Sequence, residues 1–187
     1  MSINVGMAMR IRCPATTTSP TGGPSGRTSG RPLIKLPKYT MSSITLRFLA
    51  EPSTINFGGK VHGGTVMKWI DEAGYACATR WAKHYCVTVS VGNIRFDQPI
   101  RIGDLVEVEA RLAYTGKTSM NIAVEVRAGD MKVGHMGKIT ECLVVFVAVD
   151  NDGKSIPVRS WLPETPGDSA LAERVKAHLD AARAMQA

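Results

Sequence analysis

Residues 56–73 read NFGGKVHGGTVMKWIDEA, a glycine-rich loop that runs directly into an amphipathic segment. Apolar residues recur from here at steps of three and four, which predicts a helix over residues 64–83. The predicted buried face consists of Val66, Ile70, Ala73, Cys77 and Trp81. The other faces carry small residues, namely Gly74, Ala76 and Ala78. A slim helix of this kind is suited to lie at the centre of a fold, wrapped by a sheet.

The same segment predicts chemistry. Gly63 and Gly64 have no Cβ, so a substrate can approach the backbone closely. The first amides of a helix lack intrahelical partners and lie at the positive end of its dipole, where they can stabilise an oxyanion. Asp71 follows Gly64 by roughly two turns at 3.6 residues per turn, so both residues project to much the same side. One helix therefore offers an amide that polarises a carbonyl and an acid/base group.

Strands are predicted on both sides of this helix. A short strand at 44–49 precedes it, and four longer ones follow at 86–96, 104–115, 120–127 and 139–149. Alternating apolar and charged residues over 106–111 indicate a half-buried strand, whereas the nearly all-apolar run 144–149 predicts burial on both faces. Turn-forming glycines at 103, 116 and 129 predict an antiparallel meander. An apolar stripe over 169–185 predicts a C-terminal amphipathic helix.

One long helix followed by an antiparallel sheet of about five strands predicts an α+β chain with a hotdog fold. The domain is expected over residues 42–163, with the C-terminal helix in residues 164–187. Such a sheet leaves an edge strand open, and pairing with a second subunit would cover it.

The basic charge is confined to the start of the chain. The net charge is +7 over 187 residues, and no Asp or Glu precedes Glu51. Residues 1–41 are rich in Ser, Thr, Gly, Pro and Arg, which predicts a disordered basic N-terminal extension. The extension fits an organellar transit peptide, a plain tail, or a translation start at Met41. The remaining domain is neutral, so we expect no nucleic-acid partner.

The four cysteines show neither metal-type spacing nor the density of a disulfide scaffold, so we expect buried thiols in a reducing compartment and no metal. No apolar run reaches the roughly 18–20 residues that cross a bilayer, so no membrane partner is expected. A cytoplasmic location follows, or an organellar one if residues 1–41 are a transit peptide.

Several motifs occur in order between residues 44 and 162. They are Asn56 with Gly59, the run 62–64, the run 71–73, the run FDQPIRIGD at 96–104, the run GKTSM at 116–120, and the run VAVD at 147–150 with Gly153 and Lys154. Together they resemble the hotdog-fold acyl-CoA thioesterases, in the acyl-CoA hydrolase branch that includes bacterial YciA-type enzymes. Two features depart from that pattern, the basic extension and His62, where some YciA-type members carry an aromatic residue.

The resemblance implies hydrolysis of fatty acyl-CoA, with coenzyme A as part of the substrate and no other cofactor. It implies a site at the interface of a homodimer, often within a trimer of dimers, with Asp71 facing the partner's glycine loop. By their chemistry, Asp71 is the expected general base or nucleophile, and the Gly64 amide is expected to polarise the thioester carbonyl. Asn56 would hold the water or the carbonyl, since an amide side chain both donates and accepts.

The remaining candidates are substrate-binding residues. His62 and Gly63 belong to the glycine loop, and Lys117, Thr118 and Ser119 are expected to contact CoA phosphate through charge and hydroxyl donors. Each candidate also has a structural interpretation. The glycines can shape a helix entry, His62 can be a donor at a helix start, Asn56 can be a turn residue, Asp71 can be solvated, and residues 117–119 can be only a hairpin turn.

Two other functions remain open. A hotdog hydratase or dehydratase would pair a histidine with an acid, and His62 with Asp71 or Glu72 could imitate that pair. The glycines after His62 and the later motifs favour hydrolysis instead. A non-catalytic acyl-CoA sensor would use the basic extension on nucleic acid, yet that extension has only one aromatic residue, Tyr39, and no helix-turn-helix pattern.

Overall fold

The computed structural model describes residues 41–92 and 94–184, so the predicted N-terminal extension lies almost entirely outside the described residues. The elements in chain order are β1 (Ser43–Leu49), a 3₁₀ turn (Pro52–Thr54), α1 (Gly63–Ala82), β2 (Cys86–Val91), β3 (Leu105–Thr115), β4 (Ser119–Gly129), β5 (Gly137–Ala148) and α2 (Pro166–Ala184). These elements confirm the predicted α+β architecture. The largest error in a boundary is at β2, which ends at Val91 rather than near Phe96.

The five strands form one antiparallel sheet in the order β1-β3-β4-β5-β2. Strands β3, β4 and β5 form a meander as predicted, but the prediction is wrong for β2, which does not pair with β3 across the turn at Gly103. Strand β2 lies outside it, because α1 crosses the sheet and delivers the chain to the edge opposite β1. There β2 pairs with β5, with Cys86 opposite Ala148 and Val91 opposite Val144. Strand β2 is therefore an edge of the sheet, and it runs beside α1.

Helix α1 packs its apolar stripe against one face of the sheet. Val66, Ile70, Ala73 and Cys77 are buried as predicted, and Trp81 is half-buried. They meet buried residues of the three central strands, which include Val106, Val108, Ile122, Val124, Val144 and Phe146. The helix must be slim at Gly74, because a Cβ there would lie 2.7 Å from Phe146 Cε2. Overpacking of this kind typically costs about 1–3 kcal/mol.

The prediction that residues 144–149 are buried on both faces is wrong for the strand. Val144, Phe146 and Ala148 are buried, whereas Val145 and Val147 are only half-buried. The reason is that α1 covers one face of β5, while the other face is covered only in part. Helix α2 lies on that outer face and packs against β3.

Helix α2 begins with a capping box. The Asp168 amide donates to Thr165 Oγ1 at 3.1 Å, and the Thr165 amide donates back to Asp168 Oδ2 at 3.1 Å. Pro166 occupies the first helical position, where no amide hydrogen is needed. Arg111 of β3 donates to Asp168 Oδ1 at 2.9 Å and so ties the start of α2 to the sheet. Hydrogen bonds from the Thr165 hydroxyl and from Arg111 hold the pKa of Asp168 below its usual value.

Candidate active site

Asn56 organises the loop that leads into α1. Its Oδ1 accepts from the Gly58 amide at 2.8 Å and from the Lys60 amide at 3.1 Å. Two backbone donors identify that atom as the carbonyl oxygen of the side chain. The Nδ2 group is then free to donate, and no hydrogen-bond partner for it lies among the described residues. Asn56 is therefore both a turn residue and a candidate donor, and its expected role narrows to donation.

His62 caps the start of α1. Its backbone is extended, and its Nδ1 accepts from the Gly64 amide at 2.9 Å. The ring lies across the Gly64 position, since a Cβ there would be 3.1 Å from Nδ1 and 3.3 Å from Cε1. A Cβ on Gly63 would instead meet Phe96 Cε2 at an ordinary 3.5 Å. The Gly64 amide, expected to polarise a carbonyl, thus already has a partner in this structure.

Asp71 is held by a residue that the sequence did not single out. Thr88 Oγ1 donates to Asp71 Oδ1 at 2.6 Å. The pairing of β2 with β5 shifts register between Thr88 and Ser90, and bulges of this kind often re-aim side chains beside functional sites. The bond fixes one carboxylate oxygen and leaves the other without a partner among the described residues.

The sequence contained a signal for Thr88. A helix rises about 1.5 Å per residue and a strand about 3.3 Å, so a strand returning beside a helix covers the same distance in fewer than half as many residues. Asp71 lies eleven residues before the end of α1, so about five residues of a returning strand reach its level. Five residues counted from the turn that follows α1 end close to Thr88. This count is possible only once β2 is known to run beside α1.

A cavity of about 360 Å³ lies between the first turns of α1 and the edge strand β2. It is lined by Gly64, Met67, Lys68, Ile70, Asp71, Val91 and Val144. The volume is within the range of small-molecule sites. The structure therefore brings together Gly64 and Asp71, as the helical spacing predicts. Asn56, His62 and Gly63 lie on the loop and helix start beside the cavity, without lining it.

Lys117, Thr118 and Ser119 are not part of this cavity. They form the hairpin between β3 and β4, which the Gly116 amide closes by donating to the Ser119 carbonyl at 2.9 Å. The hairpin contacts the chain around the end of β5, because the Ala148 amide donates to the Thr118 carbonyl and the Val158 amide donates to the Lys117 carbonyl. These contacts show a structural role for the hairpin, and its contact with CoA phosphate stays a prediction.

Several other chemistries find no support among the described residues. Burial raises the pKa of Cys77 to about 12 and that of Cys142 to about 11, so neither thiol is a ready nucleophile. Over residues 41–92 and 94–184, no cluster of three His, Cys, Asp or Glu side chains is placed to hold a metal. His62 is not paired with Asp71 or Glu72; Glu72 lies 3.6 Å from Lys68 instead. None of the described helices combines the length and apolar character of a membrane span.

A second cavity, also of about 360 Å³, lies between α2 and the outer face of the sheet. Its charges largely pair with neighbours: Arg111 with Asp168, Arg127 with Glu125, and Glu141 with Lys138. It contains no counterpart of the Thr88–Asp71 pair. The cavity at the start of α1 is therefore the candidate site.

The sequence matches known proteins over most of the described fold. The family model described as Thioesterase superfamily matches residues 58–135. The acyl-CoA thioester hydrolase YciA of Salmonella typhimurium is 37% identical over 118 residues, which cover 62% of this chain and 89% of that relative.

Solved structures agree with the sequence matches. An apo-hexameric acyl-CoA thioesterase superposes with a TM-score of 0.75 at 31% identity, covering 79% of this chain and 94% of the other. The acyl-CoA hydrolase of Staphylococcus aureus, solved with butyryl-CoA and CoA, has a TM-score of 0.72 at 26% identity and covers 78% and 89%. Solved variants of that hydrolase replace one aspartate or one asparagine by alanine. The two replaced residues are fifteen positions apart, the interval that separates Asn56 from Asp71.

Proposed function

Because this chain belongs to the thioesterase superfamily, we propose that it is an enzyme that hydrolyses acyl-CoA to a free carboxylic acid and coenzyme A. The observation that carries the proposal is the Asp71 carboxylate, held by Thr88 at a cavity that Gly64 also lines. Relatives named acyl-CoA thioester hydrolases support the substrate class. The absence of a His62–Asp71 or His62–Glu72 bond among the described residues argues against the hydratase alternative.

Asp71 acts as a general base in this proposal. Thr88 holds Oδ1, and the other carboxylate oxygen takes a proton from a water molecule as the water oxygen attacks the thioester carbon. The tetrahedral intermediate then breaks its carbon–sulfur bond, and the departing thiolate recovers the proton. Thr88 is a positioning residue, because it acts through the orientation of Asp71.

Two donors serve the carbonyl oxygen. The Gly64 amide lies at the positive end of α1, where a developing negative charge is stabilised. The Asn56 Nδ2 group provides a second donor, and its carbonyl oxygen is already engaged in the loop. Because Asn56 does not line the cavity of its own chain, we assign it to the cavity of a neighbouring subunit. The matching interval in the Staphylococcus aureus variants supports Asn56 and Asp71 as a functional pair.

A second copy of the chain is the proposed partner. Strand β2 is an edge of the sheet, its Val89 and Val91 side chains are exposed, and Val91 lines the cavity. Pairing two β2 edges would cover these residues and bring the loop of one chain to the cavity of the other. The solved neighbours include hexamers, which is consistent with a trimer of such dimers. In this arrangement Lys117, Thr118 and Ser119 of a neighbouring subunit would contact CoA phosphate.

The test is release of CoA thiol from short, medium and long acyl-CoAs by the wild type and by Asp71→Asn. Loss of a general base typically lowers a rate by 10²–10⁴-fold, so roughly that loss is expected with unchanged folding and assembly. Glu72→Gln is the matched control, because Glu72 is the adjacent carboxylate and does not line the cavity. It should retain wild-type turnover. Near-normal turnover by Asp71→Asn would contradict the role, and acyl-CoA binding by the wild type without CoA release would favour the sensor.

A further inference from the structure

The His62 ring occupies the donor that the proposed reaction needs. Its Nδ1 accepts from the Gly64 amide at 2.9 Å, and the ring lies where a Gly64 side chain would project. A substrate carbonyl and the imidazole therefore compete for one N–H. Gly64 lines the cavity with Asp71 whereas His62 does not, so the contested amide belongs to a residue of the cavity wall and the imidazole reaches it from beside the cavity.

We propose that His62 is a positioning residue that controls the access of the thioester carbonyl to the Gly64 amide and couples that access to pH. The inference rests on the proposed function and deepens it. An imidazole accepts at Nδ1 only while that nitrogen carries no proton. Protonation turns Nδ1 into a donor, breaks the cap and places a positive charge at the positive end of the helix dipole. The ring then leaves, and the Gly64 amide is free for the substrate.

Histidine is the side chain that ordinarily changes charge between about pH 5 and 8. Lys60 precedes His62 in the loop, and Lys68 and Asp71 line the cavity with Gly64. Arg95 and Asp97 flank Phe96, which packs at Gly63, and Glu51 precedes the 3₁₀ turn. Glu51 accepts from Ser53, and Arg95 pairs with Asp97 at 2.8 Å. No carboxylate among the described residues forms an ion pair with His62.

Two substitutions at His62 move the rate in opposite directions. His62→Ala removes the cap, so the Gly64 amide is free at every pH. His62→Asn keeps an acceptor that cannot be protonated and caps the helix at every pH. For the wild type, kcat/KM is expected to rise roughly two- to tenfold from pH 8 to pH 6, after division by the change seen in either variant. This factor corresponds to the net free energy of one hydrogen bond. At pH 8, His62→Ala should exceed the wild type and His62→Asn should not.

The control is His84→Ala, since His84 is an exposed histidine outside the site and its removal should leave the pH profile as in the wild type. Equal pH profiles for the wild type, His62→Ala and His62→Asn would overturn the inference while leaving thioester hydrolysis intact. A rate that falls in His62→Ala at all pH values would do the same, because it would show that the ring assists rather than competes.

A second measurement does not depend on activity. Selective ¹⁵N labelling of glycine allows the Gly64 amide signal of the intact protein to be followed from pH 8 to pH 5. The signal should shift in step with the titration of the His62 ring and stay constant in His62→Ala. A Gly64 signal that ignores the ring titration would overturn the inference. Absence of CoA release in every assay, with the Gly64 shift present, would instead contradict the proposed function alone.

Discussion

Helix α2 begins with a threonine and an aspartate that satisfy each other's amides, whereas α1 begins with two glycines and an imidazole. At α2, Thr165 and Asp168 exchange hydrogen bonds, and the acid in the first turn offsets the helix dipole. At α1 the first turn contains no acidic residue, and the cap is His62. Both helix starts are capped, but only the start of α2 has an acid that offsets the helix dipole, whereas the start of α1 has the His62 ring and no acid.

This difference separates a helix start that stabilises the fold, at α2, from one whose backbone amides a substrate can approach, at α1. Each glycine in a helix costs roughly 0.5–1 kcal/mol relative to alanine, and α1 accepts two in its first turn. The same turn borders the cavity with Asp71, while the start of α2 faces the outer side of the sheet through Arg111. Changes at α1 should therefore alter turnover with little effect on folding, and changes at α2 should do the reverse.

The largest expected effect on turnover in the loop that leads into α1 is that of Asn56→Asp. An aspartate keeps the acceptor for the Gly58 and Lys60 amides but lacks the Nδ2 donor. Loss of one oxyanion donor typically costs 10²–10³-fold, so kcat should fall by roughly 10² while the melting temperature stays near that of the wild type. Steady-state CoA release and thermal unfolding measure the two effects. Turnover close to the wild type would show that Nδ2 is not used.

Asn56→Ala is the control, because it removes donor and acceptor together and should lose both activity and about 1 kcal/mol of stability. Mixing Asn56→Asp chains with Asp71→Asn chains also tests the shared site. One of the two sites in each mixed dimer would carry Asp71 from one chain and Asn56 from the other. Part of the activity should return after subunit exchange. Absence of rescue after confirmed exchange would place both residues in one chain's site.

The sequence was sufficient for features that depend on one segment at a time. Three- and four-residue steps identified α1, and alternation identified β3 and β4, because each pattern reports on burial within one element. The shared side of Gly64 and Asp71 followed from helical geometry alone. The overextended β2 and the misjudged burial of β5 depended on which neighbours cover an edge or a face, which no local pattern records.

The parts of the site that were missed are contacts between elements. Thr88 reaches Asp71 only because β2 returns beside α1 at the sheet edge. The His62 ring on the Gly64 amide is a local contact, yet the structural interpretation of His62 as a donor was wrong, because its Nδ1 accepts from that amide. Motifs therefore predicted which residues matter at the start of α1, and the structure was needed to show which atoms remain available.

A smaller effect is expected from the paired changes Gly64→Ala and Gly63→Ala. Both replace a glycine in the first turn of α1, and both should add slightly to helix stability. At Gly64 the new Cβ would press on His62 Nδ1 at 3.1 Å and narrow the approach to the amide. At Gly63 it would make an ordinary 3.5 Å contact with Phe96. We expect roughly a tenfold loss of kcat/KM for Gly64→Ala and less than twofold for Gly63→Ala; equal losses would show that the Gly64 amide has no special role.

The smallest effect on catalysis is expected at the start of α2. Thr165→Ala removes one half of the capping box and should cost about 1 kcal/mol, read by urea unfolding and by faster hydrogen exchange in the first turn of α2. Turnover should not change, since Thr165 lies outside the cavity with Asp71. A loss of activity that matches the loss of stability would show that the two helix starts are coupled rather than separate.

Acid pH tests the same cap by its charge. The pKa of Asp168 is lowered in the folded protein by the Thr165 hydroxyl and by Arg111, so its stabilising contribution is present above the unfolded value of about 3.9 and is lost as pH falls through the folded value. Asp168→Asn should therefore destabilise α2 at pH 7, and the difference from the wild type should begin to shrink below about pH 4 and vanish only below the folded pKa. Hydrogen exchange of each first turn across pH 3–8 would distinguish a cap that stabilises from a cap that opens.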